Sequence, residues 1–265
     1  SLTPRVRRRY GGPVSAGIGW SRHREGVARL RESYARIPPG EPVRLAKKTS
    51  NLFRGREQQR HGLDVSGLDG VIEVAGDVAE VQGMCTYEHL VEATLPHGRI
   101  PLVVPQLRTI TLGGAVTGLG IESTSFRSGL PHESVLEMDV FTGAGEIVTT
   151  RPGDDLFDAF PNSYGSLGYA TRLRIRLEPM PSYVALRHVR FDDAGLLAKV
   201  VEEVVSTRAY DGQEVHGLDG VSFGPDEHVL TMARWTDEPG ATSDYTGQQI
   251  YYRSLKDLDT DRLTA

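Results

Sequence analysis

Residues 109–125 read Thr109-Ile110-Thr111-Leu112-Gly113-Gly114-Ala115-Val116-Thr117-Gly118-Leu119-Gly120-Ile121-Glu122-Ser123-Thr124-Ser125. Gly113, Gly114, Gly118 and Gly120 lack the Cβ atoms that would hold a ligand off the main chain. The hydroxyls of Thr109, Thr111, Thr117 and Ser123 are interleaved with them. Two readings of this composition stand open. It is a cradle whose successive N–H groups receive a diphosphate, or it is a plain glycine-rich turn between strands. It is not a P-loop, because no Gly-Lys-Ser/Thr ends it. Nor is it a clear dinucleotide fingerprint, since the Gly113–Gly120 spacing does not follow a clean strand and open a clean helix.

Outward from this run, the chain mixes helical and strand periodicities. Val27, Leu30, Tyr34 and Ile37 predict a helix over 21–37, stopped by Pro38, Pro39 and Gly40. A short strand is expected at Val43–Ala46, followed by the polar loop Lys47-Lys48-Thr49-Ser50-Asn51. Val71–Val74 and Val78–Val81 predict a hairpin. Thr86 is placed to cap a helix carrying Tyr87, Leu90, Val91 and Leu95, with Gly98 as its left-handed stop. Leu102-Val103-Val104 is an apolar run halted by Pro105. Downstream, Val135–Phe141 and Glu146–Thr149 predict a second hairpin about Thr142–Gly145. Leu156–Phe160 reads as a short helix and Leu173–Leu177 as a half-buried strand.

The prolines of Glu178-Pro179-Met180-Pro181 mark the expected domain boundary. Beyond it come a strand at Val184–Phe191, a helix capped by Asp192 or Asp193, and a strand at Val229–Trp235. Three such elements make a thin core, and the last twenty residues look patternless. The division expected is an irregular arm at 1–20, one domain at 21–180, and the start of a further, incomplete domain at 181–265. The pentapeptide Gly67–Val71 recurs at Gly217–Val221, which reads as coincidence rather than a repeat.

Composition narrows the function classes. With 265 residues, 38% hydrophobic, and 30 glycines, the chain can bury a core and favours a loop-rich sheet protein. The net charge of −5 argues against nucleic acid as a partner. The basic cluster Arg5, Arg7, Arg8 and Arg9 reads as a solvated arm. Cys85 is the only cysteine, so no intrachain disulfide forms. It is expected as a small buried apolar residue. A reducing cytoplasmic setting fits, with peripheral membrane association as the alternative, since no apolar run reaches membrane-spanning length. The eight histidines show no metal-ligand spacing.

Several motifs in order then carry a resemblance. Pro105–Gly114, Gly118-Leu119-Gly120-Ile121-Glu122-Ser123, Gly129-Leu130-Pro131-His132, the Leu136–Thr149 hairpin, Asp155-Leu156-Phe157 and Ser163–Gly168 follow one another. Together they resemble the FAD-binding half of the vanillyl-alcohol oxidase / p-cresol methylhydroxylase (PCMH-type) superfamily. Within it they are most similar to the delta-24 sterol reductase branch and its bacterial relatives. The resemblance covers roughly residues 40–190.

It implies an α+β fold: a PCMH-type FAD-binding domain of two α/β subdomains, followed by a partial α+β substrate domain. It implies FAD as cofactor, with Lys47, Lys48, Thr49, Ser50 and Asn51 in the pyrophosphate loop. Thr109, Thr111, Gly113, Gly114, Thr117, Gly118, Gly120, Ile121, Glu122 and Ser123 would form the second FAD-binding segment. Ile147 matches a position whose main chain meets the cofactor. Gly165 and Gly168 are placed for close strand contact. Thr49 stands where many members carry a histidine bonded to FAD, so noncovalent FAD is expected. Glu122 and His132 are candidates for roles at the flavin, with structural roles equally open. The implied activity is hydride transfer through flavin N5. It would either reduce a C=C bond with NAD(P)H or oxidise an alcohol with oxygen as acceptor, acting on a small-molecule substrate of hydrophobic kind. The alternative is an FAD-binding fragment without turnover.

Overall fold

The computed structural model describes residues 17–46, 62–245 and 251–265. The basic cluster at Arg5–Arg9 and the loop Lys47–Asn51 lie outside the described residues. In chain order the elements are α1 (Gly19–Tyr34), β1 (Val71–Ala75), β2 (Val78–Gln82), α2 (Tyr87–Thr94), β3 (Arg99–Pro101), α3 (Leu112–Gly118) and α4 (Ser125–Ser128). Then follow β4 (Val135–Phe141), β5 (Ile147–Thr150), α5 (Asp155–Ala159), β6 (Tyr169–Pro179), β7 (Tyr183–Phe191) and α6 (Ala194–Thr207). The chain ends with β8 (Ala209–Tyr210), β9 (Gln213–Glu214), β10 (Gly217–Gly224), β11 (Glu227–Thr236) and β12 (Thr260–Thr264). The fold is mixed α+β, as the sequence patterns require.

The chain divides into two compact units. One comprises 1–101, 107–118 and 135–177, and the other 102–106, 119–134 and 178–265. The second unit therefore takes in two segments from the middle of the chain, where a single cut near residue 180 was expected. The glycine-rich run is itself divided between Gly118 and Leu119.

The first unit is built on a sheet ordered β1-β2-β6-β4-β5, with β3 also pairing β6. Its two hairpins form where alternation and turn residues predict them. Gly145 sits in the β4–β5 turn at φ +81, a conformation that glycine adopts without strain. Thr86 caps α2 by accepting a hydrogen bond from His89 N–H at 3.3 Å, a contact worth about 1 kcal/mol. Gly98 takes the left-handed stop at φ 65.

At the centre of this sheet Arg172 is buried among three carboxylates. It donates to Glu80 at 2.7 Å, to Asp139 at 2.7 Å and also to Glu137. A buried cation is tolerated only when its donors are met in this way. Hydrogen bonds from Arg172 hold the Glu137 carboxyl below the ordinary range. At Asp139 burial opposes ionisation, but bonds from Arg172 and Thr149 outweigh it and the carboxyl is also held low. Cys85 is fully buried, and burial pushes its thiol up to about 12, so it is a packed apolar residue rather than a nucleophile.

The second unit has an antiparallel sheet ordered β10-β11-β7-β12. Val204, Val215, Leu230 and Met232 form its core, with Leu197, Val200 and Val201 of α6 packed against them. Asp193 caps α6 by accepting from Leu196 N–H at 2.8 Å. Arg127 is gripped by Glu178 through two bonds of 2.7 and 2.6 Å and donates to the His216 carbonyl at 2.6 Å.

Three expectations are corrected. Val43–Ala46 forms only an isolated parallel bridge, Leu45 to Leu63. A short strand not read from the sequence, Arg99–Pro101, directly precedes the apolar run Leu102–Val104. The second unit has more than three elements: Gly217–Gly224 is a strand, and β12, in the supposedly patternless tail, pairs with β7 from Thr260 to Thr264. The glycine-rich run is neither a turn nor a loop throughout, because Leu112–Gly118 is helical.

Candidate cofactor and ligand site

The N-terminal end of α3 is built by backbone packing. Thr86 and Thr111 form an antiparallel bridge that delivers the chain to the helix. Leu112 N–H then donates to the Cys85 carbonyl at 2.9 Å and Gly113 N–H to the Gly83 carbonyl at 2.9 Å. Gly114 N–H donates to Thr111 Oγ1 at 3.2 Å, and Ala115 N–H to the Thr111 carbonyl at 2.9 Å. The first N–H groups of the helix are thus satisfied within the protein. In this structure these N–H groups are paired within the protein and do not themselves form an anion-binding concavity. Gly113 has a different reason to be glycine. A Cβ on it would lie 2.7 Å from the Gly83 carbonyl oxygen, and one on Gly83 would lie 1.8 Å from the Ala170 carbonyl oxygen. Three backbones meet here with no room for a side chain.

The C-terminal end differs. Thr117 Oγ1 donates back to the Gly113 carbonyl at 2.9 Å, which ties its hydroxyl to the helix. Its carbonyl receives Tyr164 N–H at 3.1 Å, so the Ser163–Gly168 loop is fixed beside this helix end. Asn162, Tyr164, Gly165 and Gly168 all have positive φ in that loop. Ser163 Oγ is buried and meets no partner. The Tyr164 ring is 68% exposed. Among the described residues, a Cβ on Gly118 would meet no atom within 4 Å. The helix end therefore leaves open space beside a loop that carries a buried hydroxyl.

The same loop reaches the other predicted residues of this unit. A Cβ on Gly168 would lie 2.3 Å from the Phe141 carbonyl oxygen, so this glycine does permit close strand contact. Gly165, Ser166 and Tyr169 line a cavity of about 250 Å³ together with Val43 and Gly143. Ile147 lies on β5, the edge strand, and packs in the cluster that contains Phe141, Leu45 and Leu63. Ala46 N–H donates to the Leu63 carbonyl at 2.9 Å and Leu63 N–H to the Arg44 carbonyl at 2.7 Å. These bonds fix the chain immediately before Lys47. Thr109 lies just before the helix and makes no contact that assigns it a role.

The remaining predicted residues belong to the second unit. Among the described residues no acceptor meets the N–H of Gly120 or Ile121. The Ile121 side chain is 84% exposed. The Ser123 carbonyl receives Leu218 N–H at 2.8 Å, which lays this segment along the edge of β10. Glu122 N–H donates to Ser125 Oγ at 3.0 Å, and Glu122 Oε2 accepts from Gln106 N–H at 3.2 Å. Burial pushes the Glu122 carboxyl up, the negative charge of Asp219 adds to this, and the Gln106 N–H opposes it. Gln106 Nε2 donates to Asp219 Oδ2 at 3.3 Å. Gln106 and Asp219 were not singled out in the sequence; only their three-dimensional proximity to Glu122 gives them away. His132 lies in a single 3-10 turn, and its Nδ1 is buried without a partner.

The first unit is thus a mixed helix–sheet unit in which the open end of a glycine-bearing helix lies beside a loop of positive backbone angles. Comparison with known proteins then gives its kind. Residues 24–151 match the FAD binding domain family, and over this stretch the chain is similar to the FAD-binding domains of PCMH-type oxidoreductases. Cytokinin dehydrogenase 3 of Oryza sativa subsp. japonica is 32% identical over 179 residues, 64% of this chain and 34% of that protein. Delta(24)-sterol reductase of Homo sapiens is 29% identical over 194 residues, 72% of this chain and 37% of that protein. The Mus musculus Delta(24)-sterol reductase is 33% identical over the same length. The chain spans about a third of the length of these curated relatives. Among the described residues no helix is long and apolar enough to cross a membrane.

Proposed function

We propose that this chain forms the FAD-binding part, and the start of the substrate domain, of an oxidoreductase that moves a hydride between a small apolar substrate and the flavin. When bound, the flavin supplies hydride transfer at N5. The protein's part is to hold, orient and shield it. The observation that carries this reading is the open space at Gly118, inside the stretch that matches the FAD-binding family. Lys47, Lys48, Thr49, Ser50 and Asn51 are assigned to the pyrophosphate. The continuous segment from Thr109 to Ser123 is assigned to the second contact, with the free N–H groups of Gly120 and Ile121 as donors. Ile147 is assigned to a main-chain contact, and His132 and Glu122 to the reacting end of the flavin.

Two directions of chemistry fit the names of the relatives. A reductase would take electrons from NAD(P)H and reduce a C=C bond. A dehydrogenase or oxidase would take them from the substrate and pass them on, to oxygen in the oxidase case. FAD is held noncovalently, because Thr49 offers no ring nitrogen. Acid precipitation should leave a colourless pellet and a yellow supernatant; a yellow pellet would overturn that point. Anaerobic addition of NADPH or an alcohol series to the purified protein tests the direction, since only the true reductant bleaches the flavin. The second reading, FAD binding without turnover by this chain alone, is favoured by its covering about a third of the relatives' length. It predicts bound flavin that no such reductant bleaches.

A further inference from the structure

The second unit holds a cavity of about 400 Å³, bordered by the Ile121–Ser123 end of the segment assigned to the flavin. Its walls are apolar: Leu197 and Val201 come from α6, Leu218 from β10 and Leu230 from β11. Ile121 and Ser123 of the glycine-rich run border it. One side is polar. Glu122, Asp219 and Gln106 converge there, joined by the Gln106 N–H to Glu122 and the Gln106 Nε2 to Asp219. Among the described residues that line it there is no Lys, Arg or His.

This combination selects a ligand by exclusion as well as by fit. The apolar walls favour a hydrocarbon body. Two carboxylates with no cation among the described lining residues repel a ligand bearing a carboxylate or phosphate, because like charges in a partly buried site cost more than in water. A head group that donates hydrogen bonds, a hydroxyl or an amine, meets acceptor oxygens on Glu122 and Asp219. The Gln106 amide spans the two acids and sets their separation.

We infer that this cavity binds a small apolar molecule through a hydrogen-bond-donating head group held by Glu122 and Asp219, and that it rejects anionic molecules of the same shape. This deepens the substrate side of the proposed function and rests on it for its catalytic meaning, although binding can be measured without catalysis.

The test is calorimetric titration of the purified chain with 1-octanol, octylamine and octanoate, which share one hydrocarbon chain. Octanol and octylamine should bind, and octanoate should bind at least about tenfold more weakly. Glu122→Gln should weaken octylamine by about tenfold, leave octanol nearly unchanged and narrow the gap to octanoate. Val201→Trp, checked by circular dichroism for an intact fold, should fill the cavity and weaken all three. Octanoate binding as tightly as octylamine, no binding of any of the three, or an unchanged ratio in Glu122→Gln would each overturn the inference. Flavin absorbance of the same samples keeps the two readings apart. Yellow protein without discrimination removes the cavity proposal alone. Colourless protein that still discriminates removes the cofactor reading and leaves the cavity.

Discussion

The two ends of α3 carry the same residue type for opposite reasons. At its start Gly113 is glycine because the Gly83 backbone leaves no room for a Cβ, and the surrounding N–H groups are already bonded. At its end a Cβ on Gly118 would meet no described atom, and among the described residues no acceptor meets the N–H of Gly120 or Ile121. One glycine is required by the packing of the fold, and the other is not; a ligand role for the second is what we propose. A motif read as a single cradle is therefore two structures joined end to end. The difference teaches that glycine content alone does not assign a residue to a cofactor; what a Cβ would meet does.

Substitutions can separate the two kinds of position. The largest effect is expected deep on the fold side. Arg172→Met leaves Glu80, Glu137 and Asp139 without their shared cation, and should cost about 3–5 kcal/mol in urea denaturation. A loss below about 1 kcal/mol would show that the carboxylates find other partners. Next comes Gly113→Ala, whose Cβ must displace backbone rather than a flexible side chain. It should destabilise by about 1–3 kcal/mol, seen as a lower thermal midpoint. An unchanged midpoint would remove the distinction between the two glycines.

Acid acts on the same network. Glu137 and Asp139 are held low in the folded protein, so their contribution is fully present above their unfolded values of about 4 and is lost as pH falls through the folded values. Circular dichroism during acid titration should show unfolding below about pH 4, and Arg172→Met, although less stable at neutral pH, should lose less stability than the parent as pH falls through that range. A transition that ignores the substitution would contradict the assignment. The smallest stability effect is expected at Gly118. A Cβ there meets no described protein atom within 4 Å, so the cost of a valine should stay within about 1 kcal/mol.

Most of the first unit was legible because its signals are local. The hairpin strands alternate, Thr86 and Gly98 bracket α2, and Asp193 opens α6. Each of these features acts within a few residues of the one that announces it. What stayed hidden depends on distant partners. Gly217–Gly224 is rich in Gly, Asp and Ser and becomes a strand only because β11 pairs along it. Thr260–Thr264 likewise owes its conformation to β7. Residues 112–118 hold three glycines and look like a poor helix. The neighbours Gly83 and Cys85 supply the acceptors that anchor its first turn.

The site was legible to a different depth. The ordered motifs pointed to FAD, and the family match agrees. The pairing of Thr117 with Tyr164 joins two of those motifs in space. Gln106 and Asp219 carry no local signal, since a lone amide and a lone acid are common on any surface. Their meaning comes from meeting Glu122.

The most direct test of this account is the visible absorbance of the purified Gly118→Val protein beside the parent chain. The parent should be yellow, with flavin bands near one FAD per chain. Gly118→Val should keep its circular dichroism spectrum and thermal midpoint but lose the flavin bands, because the new side chain fills the space assigned to the cofactor. A folded Gly118→Val protein as yellow as the parent would contradict the placement of FAD at the open end of α3.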